Sequence, residues 1–233
     1  MTQSATTFRP GDRVGWRARA NPIKLRLLDQ YDLGRDALDI GAGHGWYSRT
    51  LADRGLHVIA TDLAHRFDDP RVTWVKSDLE QPLDWPAQRF DTVLAWDILE
   101  HVTAEAQLLE EIARVLRPGG HLLMSVPHAD DTPLAPYHLT YSHFRDRTHR
   151  REYQPDALAA KLRGVGLEPI RVSLDGGAPH LRVLEGFATT RWVARCLHGQ
   201  VSAMKRMGLL AAGKGHPDVY AVARKSSREE AAS

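Results

Sequence analysis

Leu38-Asp39-Ile40-Gly41-Ala42-Gly43-His44-Gly45 is an apolar strand running into three closely spaced glycines, and His57-Val58-Ile59-Ala60-Thr61-Asp62 is a second strand ending on a carboxylate. Between them lies a helix pattern, Trp46 to Arg54, stopped by Gly55. The acid falls about 20 residues past the first glycine, the order of a nucleotide-binding βαβ unit. Glycine lets the backbone turn tightly and approach a ligand closely. An ionised carboxylate only accepts hydrogen bonds, so Asp62 suits the two donor hydroxyls of a ribose.

The spacing then discriminates between ligands. A dinucleotide site reads G-x-G-x-x-G, its third glycine helping the helix pack on the strand. Here the run is G-x-G-x-G, with Trp46 where that last glycine would stand. Asp39, two positions before Gly41, would repel a pyrophosphate and suits a ligand carrying a cationic amine. These residues resemble the first motif of the class I S-adenosylmethionine-dependent methyltransferases. The likeness extends over roughly residues 35–175 and a last strand near 219–223, and it is nearest to the branch acting on small molecules.

Composition sets the outer limits. The chain of 233 residues predicts one α/β domain with a sizeable core. Its 31 basic and 29 acidic side chains nearly cancel, which leaves no overall charge footprint for nucleic acid. The single cysteine, Cys196, excludes an internal disulfide and a cysteine metal cluster. Residues 1–7 lack the apolar segment of a signal peptide, and no apolar run reaches about 18 residues. A cytoplasmic location is the expectation.

Strands and helices alternate, which predicts a mainly parallel sheet. Residues 1–20 read as an irregular arm. Asn21-Pro22 opens a helix to about residue 31, with cap and first-turn proline in their preferred places. Strands follow at 37–41, 57–62, 72–76 and 91–96. A helix over 104–116 carries Leu108, Leu109, Ile112, Val115 and Leu116 at helical spacing. Arg117-Pro118-Gly119-Gly120 ends it, before a fifth strand at 121–126. A long polar connection over 127–153 precedes a helix from Pro155 to about 165 and a sixth strand at 167–174. Residues 176–217 read as an insertion of one or two basic amphipathic helices, 219–223 as the last strand, and 224–233 as a charged tail. The resemblance implies a Rossmann-like seven-stranded sheet flanked by helices, in the order 3-2-1-4-5-7-6 with strand seven antiparallel.

The resemblance also assigns roles. Gly41, Gly43 and Gly45 would line the methionine half of the donor, with Asp39 near its amine. Asp62 and Leu63 would meet the ribose. Asp78 would reach the adenine amino group and Leu79 its ring, although a loop-capping role explains Asp78 as well. Trp96 or Asp97, in Ala95-Trp96-Asp97-Ile98-Leu99-Glu100-His101, would lie beside the transferable methyl. This segment lacks the N/D-P-P-Y/F device of the methylases that act on nucleic-acid amino groups. In the resemblance Glu100-His101 is a helix-start element, and His101 reads as structural. Asp146-Arg147-Thr148-His149 with Tyr153 resembles a segment in which a histidine accepts the proton of a substrate hydroxyl, and imidazole titrates in the right range for that work. Tying down the loop is the equal alternative for His149. His128, His138 and His143 lack metal-ligand spacing, and no metal is expected.

Together these readings predict methyl transfer from S-adenosylmethionine to a small-molecule acceptor, an oxygen before a nitrogen or carbon. An NAD-dependent oxidoreductase and a non-catalytic binding protein are the rival classes. The basic insertion reads as a lid or dimer surface, or as a peripheral membrane contact through 180–210.

Overall fold

Period-two alternation along each central strand decides which face a side chain meets. In the computed structural model, which describes residues 20–129, 146–174 and 218–226 and the backbone of the short strands Thr6–Thr7, Leu139–Tyr141 and Leu181–Val183, seven strands form one sheet. They are β1 (Asp36–Ile40), β2 (His57–Asp62), β3 (Val72–Lys76), β4 (Phe90–Trp96), β5 (Leu116–Pro127), β6 (Leu167–Ser173) and β7 (Asp218–Lys225). The order is β3-β2-β1-β4-β5-β7-β6. The first five strands pair in parallel, and β7 runs antiparallel between β5 and β6.

Among the described residues four helices cover the two faces: α1 (Pro22–Gln30), α2 (Trp46–Asp53), α3 (Glu105–Val115) and α4 (Pro155–Gly164). Leu38, Ile40, Val93, Ala95, Leu122 and Met124 point to one face, where α3 and α4 add Leu108, Leu109, Ile112, Leu158 and Leu162. The residues between them, Ala37, Leu94, Trp96 and Leu123, point to the other face and meet Ile23, Leu27, Leu28 and Leu51 of α1 and α2. β1 and β4 are buried on both faces, so they read as near-continuous apolar runs. Leu38 has no exposed surface, and cutting it to alanine would cost about 2–5 kcal/mol.

Three boundaries differ from the sequence expectation. The bend at Arg117–Gly120 is absorbed into β5 as a bulge: the pairing steps from Phe90–Leu116 to Thr92–His121. Gly120 is needed there because a Cβ would lie 2.8 Å from the Asp91 carbonyl oxygen. Arg224 and Lys225 belong to β7 rather than to a tail, and the Lys225 ammonium caps the Leu116 carbonyl at 2.7 Å. Within the insertion expected to be helical, Leu181–Val183 form a strand antiparallel to Leu139–Tyr141, which ties the insertion to the long connection after β5. In the arm, Thr6–Thr7 pair with Phe67–Asp68. The remainder of the arm, of the insertion with Cys196, and of the tail lies outside the described residues, as do His138 and His143. Among the described residues no helix is long and apolar enough to cross a membrane.

Candidate functional site

Parallel strands end at a common edge, so the residues that follow β1 to β5 are neighbours in space although far apart in sequence. The turn after β1 carries three glycines with positive φ: Gly41 at 63°, Gly43 at 53° and Gly45 at 72°. Two of them are required by the protein's own packing. A Cβ on Gly41 would lie 1.9 Å from the Ile98 side chain, and one on Gly45 would meet the Phe67 ring at 2.3 Å. A Cβ on Gly43 would have nothing within 4 Å among the described residues. Gly43 is therefore the glycine whose outer side is open to a ligand.

Asp62 organises this turn. Its Oδ2 accepts the Gly43 N–H at 2.9 Å, and its Oδ1 accepts those of Ala64 and His65 at 2.9 and 2.8 Å. Burial alone would raise its pKa, but these amides outweigh burial and hold the carboxyl below the usual range. Beside it Leu63 leaves 57% of its surface exposed, an apolar side chain presented outward at the strand end. At the end of β3, Asp78 is exposed and its Oδ1 accepts the Glu80 N–H at 3.1 Å, the loop-capping geometry. Leu79 packs partly against the core.

Asp39 lies on the α1–α2 face of β1. Only 2% of it is exposed, and its Oδ2 accepts the Ser48 hydroxyl at 2.5 Å. Burial is the dominant effect, opposed by Ser48 and by the Lys24 charge, and it pushes the carboxyl up to about 7. Asp39 is thus buried against the start of α2 and is not exposed beside the glycine turn.

Asp97 follows β4 with φ 56°. Its Oδ1 accepts the Ser125 hydroxyl at 2.5 Å and its Oδ2 holds the Lys24 ammonium at 2.5 Å. Lys24 is 4% exposed and stands 5.4 Å from the ring centre of Trp96 and 5.8 Å from that of Tyr47. Burial would lower the lysine's pKa, and the Asp97 charge reverses that and raises it. Trp96 is buried, and its indole N–H has no partner among the described residues. Asn21 fixes the start of α1 over this group: its side chain caps the Ile23 N–H at 2.8 Å and donates to the Tyr220 hydroxyl at 3.0 Å.

A second group adjoins Asp97. The Arg150 N–H donates to the Glu100 carbonyl at 2.9 Å, its Nε to the His101 carbonyl at 3.1 Å, and Arg151 to the Val102 carbonyl at 3.0 Å. This zipper lays residues 146–153 along residues 100–103 and stacks His149 edge-on against His101, with ring centres 4.7 Å apart. Thr148 bonds Asp146 through both its N–H and its hydroxyl, so the loop is tied locally as well. Burial and then the neighbouring His101 lower the His149 pKa. Glu100 is 1% exposed, and burial followed by the Asp97 charge pushes its carboxyl up to about 8.

The structure therefore brings Gly43, Asp62, Leu63, Asp78, Trp96, Asp97 and His149 to one sheet edge, with Asp39 behind them. Sequence reading missed Lys24, Ser48 and Ser125, and gave His101 and Glu100 only a structural part. One signal existed for Lys24. It occupies the apolar stripe of α1 with Ile23, Leu27 and Leu28, where a lysine needs a buried partner.

A family model described as a methyltransferase domain matches residues 16–172. A protein of Mycolicibacterium smegmatis, named a probable S-adenosylmethionine-dependent methyltransferase, is 30% identical over 76% of this chain and 74% of its own length. The ubiquinone biosynthesis O-methyltransferase of Hahella chejuensis is 28% identical over 64% of this chain and 70% of its own. The solved structure of a SAM-dependent methyltransferase from Archaeoglobus fulgidus superposes with a TM-score of 0.59 at 20% identity, covering 87% of this chain and 93% of that one, and supports the fold. With a glycine turn followed by Asp62 on a 3-2-1-4-5-7-6 sheet, the chain belongs to the class I S-adenosylmethionine-dependent methyltransferases.

Proposed function

We propose that this methyltransferase transfers its methyl group to a hydroxyl oxygen of a small-molecule acceptor, and that His149 is the residue through which the acceptor loses its proton. The supporting observation is the position of His149. It is 11% exposed, fixed against His101, and close enough to Asp97 for that charge to act on it. A group there faces the end of the donor site proposed to hold the transferable methyl. The O-methyltransferase named among the relatives agrees with an oxygen acceptor.

On the donor side the open face of Gly43, the Asp62 carboxylate and exposed Leu63 would meet the ribose. Asp78 and Leu79 would border the adenine, and Trp96 and Asp97 the sulfonium. A carboxylate offers about four acceptor positions, and three amides already use three on Asp62. Asp62 can thus take one ribose hydroxyl while still holding the turn, and a second only where an amide lets go. Asp39 would answer the donor's amine by charge through the turn.

The reaction is an in-line displacement. An oxygen lone pair forms the new O–C bond, the C–S bond breaks, the sulfonium becomes a neutral thioether, and the hydroxyl proton leaves. The electrophile is already activated, so the enzyme's contribution is chiefly position and exclusion of water. The ladder between Leu139–Tyr141 and Leu181–Val183 joins the two long segments proposed to cover the acceptor. Incubation with S-adenosylmethionine and a panel of phenols, quinols, sugars and lipid-linked alcohols, read by mass spectrometry, should yield S-adenosylhomocysteine and a methyl ether. A product methylated on nitrogen or carbon would replace this reading.

A further inference from the structure

We infer that Glu100, His101 and His149 form a binding site for a divalent metal cation. One ligand atom from each lies within 4.8 Å of the others. Metal bonds of about 2.0–2.2 Å put such atoms roughly 3–3.5 Å apart, so small side-chain rotations close the set.

Two further observations point to a cation. First, the Glu100 Oε2 is buried and has no hydrogen-bond partner among the described residues. A carboxyl oxygen removed from water without a partner is costly, and a cation that takes the place of its proton satisfies it. Second, each imidazole presents one nitrogen to a second group. His101 Nδ1 faces the Thr148 carbonyl at 3.4 Å, and His149 Nε2 faces an Asp146 carboxylate oxygen at 3.7 Å. Ligating histidines usually direct their outer nitrogen at a carbonyl or carboxylate in this way, which fixes the ring and its tautomer. In this arrangement the cation would be held by the other nitrogen of each ring. Asp97 is not available as a ligand, because its oxygens are engaged by Lys24 and Ser125.

Two imidazoles and one carboxylate suit borderline cations such as zinc, manganese, iron or cobalt in the divalent state. Magnesium prefers oxygen throughout. Three protein ligands leave positions open. The cation's role, though not its binding, rests on the proposed oxygen acceptor. With the cation bound, His149 serves the deprotonation through it and not as a free base: a hydroxyl at an open position becomes more acidic and releases its proton to solvent. Its lone pair then forms the O–C bond as the C–S bond breaks, giving ether, S-adenosylhomocysteine and one proton.

The test uses untagged full-length protein, stripped with a chelator and titrated with Co²⁺ alone. One equivalent should bind with a visible absorption band. Glu100→Gln and His149→Ala should weaken that binding at least about 100-fold, while exposed His57→Ala should leave it unchanged. Binding of S-adenosylhomocysteine in the same samples checks that the variants are folded. Loss of that binding in the wild type would count against the donor site, not against the metal site. X-ray absorption on cobalt-loaded wild type should show two imidazoles in the coordination shell. No stoichiometric Co²⁺ in the wild type, undiminished binding in folded Glu100→Gln and His149→Ala, or an all-oxygen shell would each overturn the proposal.

Discussion

Lys24 on α1 and Asp97 after β4 meet at 2.5 Å, closing an ion pair across the edge of the sheet where the glycine turn also ends. The lysine is almost wholly buried, whereas the aspartate keeps 53% of its side chain exposed. One partner thus depends on the pair far more than the other.

Lys24→Met should lower stability by roughly 1.5–3 kcal/mol, the range for a hydrogen bond to a charged group, because Asp97 can turn to water once released. It should also weaken donor binding, since Trp96 and Asp97 lose their anchor. Denaturant unfolding and calorimetric titration with S-adenosylhomocysteine measure the two effects. An unchanged midpoint would mean that the pair is solvated and inert.

Asp62→Ala removes the acceptor for three amides and for a ribose hydroxyl. The dissociation constant for S-adenosylhomocysteine should rise roughly 10- to 100-fold. An unchanged constant in a folded variant would remove Asp62 from the donor site.

The glycines should separate. Gly43→Ala meets no atom of the described residues and carries the cost of its positive φ, about 1–2 kcal/mol. Its main effect should fall on donor affinity. Gly45→Ala drives a Cβ into the Phe67 ring, so its main effect should fall on thermal stability. The opposite pattern would place the ligand on the other side of the turn.

Donor affinity should depend on pH through Asp39. With its carboxyl raised to about 7, the free protein holds Asp39 neutral in mild acid. A cationic amine nearby favours the ionised form, so affinity should rise between about pH 5.5 and 7.5, by up to tenfold per unit. Binding should release a proton, visible as a dependence of the calorimetric heat on buffer. For folding the sign is opposite. A carboxyl raised above its unfolded value contributes stability in acid that is lost as pH rises towards 7. Asp39→Asn should flatten both dependences.

His149→Ala should cut turnover about 10²- to 10⁴-fold while leaving affinity for S-adenosylhomocysteine nearly unchanged. The zipper through the Arg150 N–H and the Arg150 and Arg151 side chains does not use the imidazole, so the loop should stay in place. Steady-state formation of S-adenosylhomocysteine with the true acceptor checks this. Near-normal turnover would make His149 a loop anchor.

The sequence by itself determined the βαβ unit proposed to hold the donor. A strand, a glycine turn, a helix and a strand ending on Asp62 are local patterns, set by periodicity and by backbone freedom over a few residues, and they appear where the pattern put them. Asp146-Arg147-Thr148-His149 was legible in the same way as a segment, but its neighbours were not. Only the sheet order and the Arg150 contacts set His149 against His101 and Glu100. Asp39 was visible as an acid, yet its raised pKa comes from the α1–α2 layer that covers it. Leu181–Val183 became a strand because Leu139–Tyr141 offered an edge to pair with, a choice made by a partner rather than by its own residues. Local chemistry fixed which groups could bind a donor. Long-range packing decided which charges were buried together, because burial and charge pairing depend on what lies nearby in space.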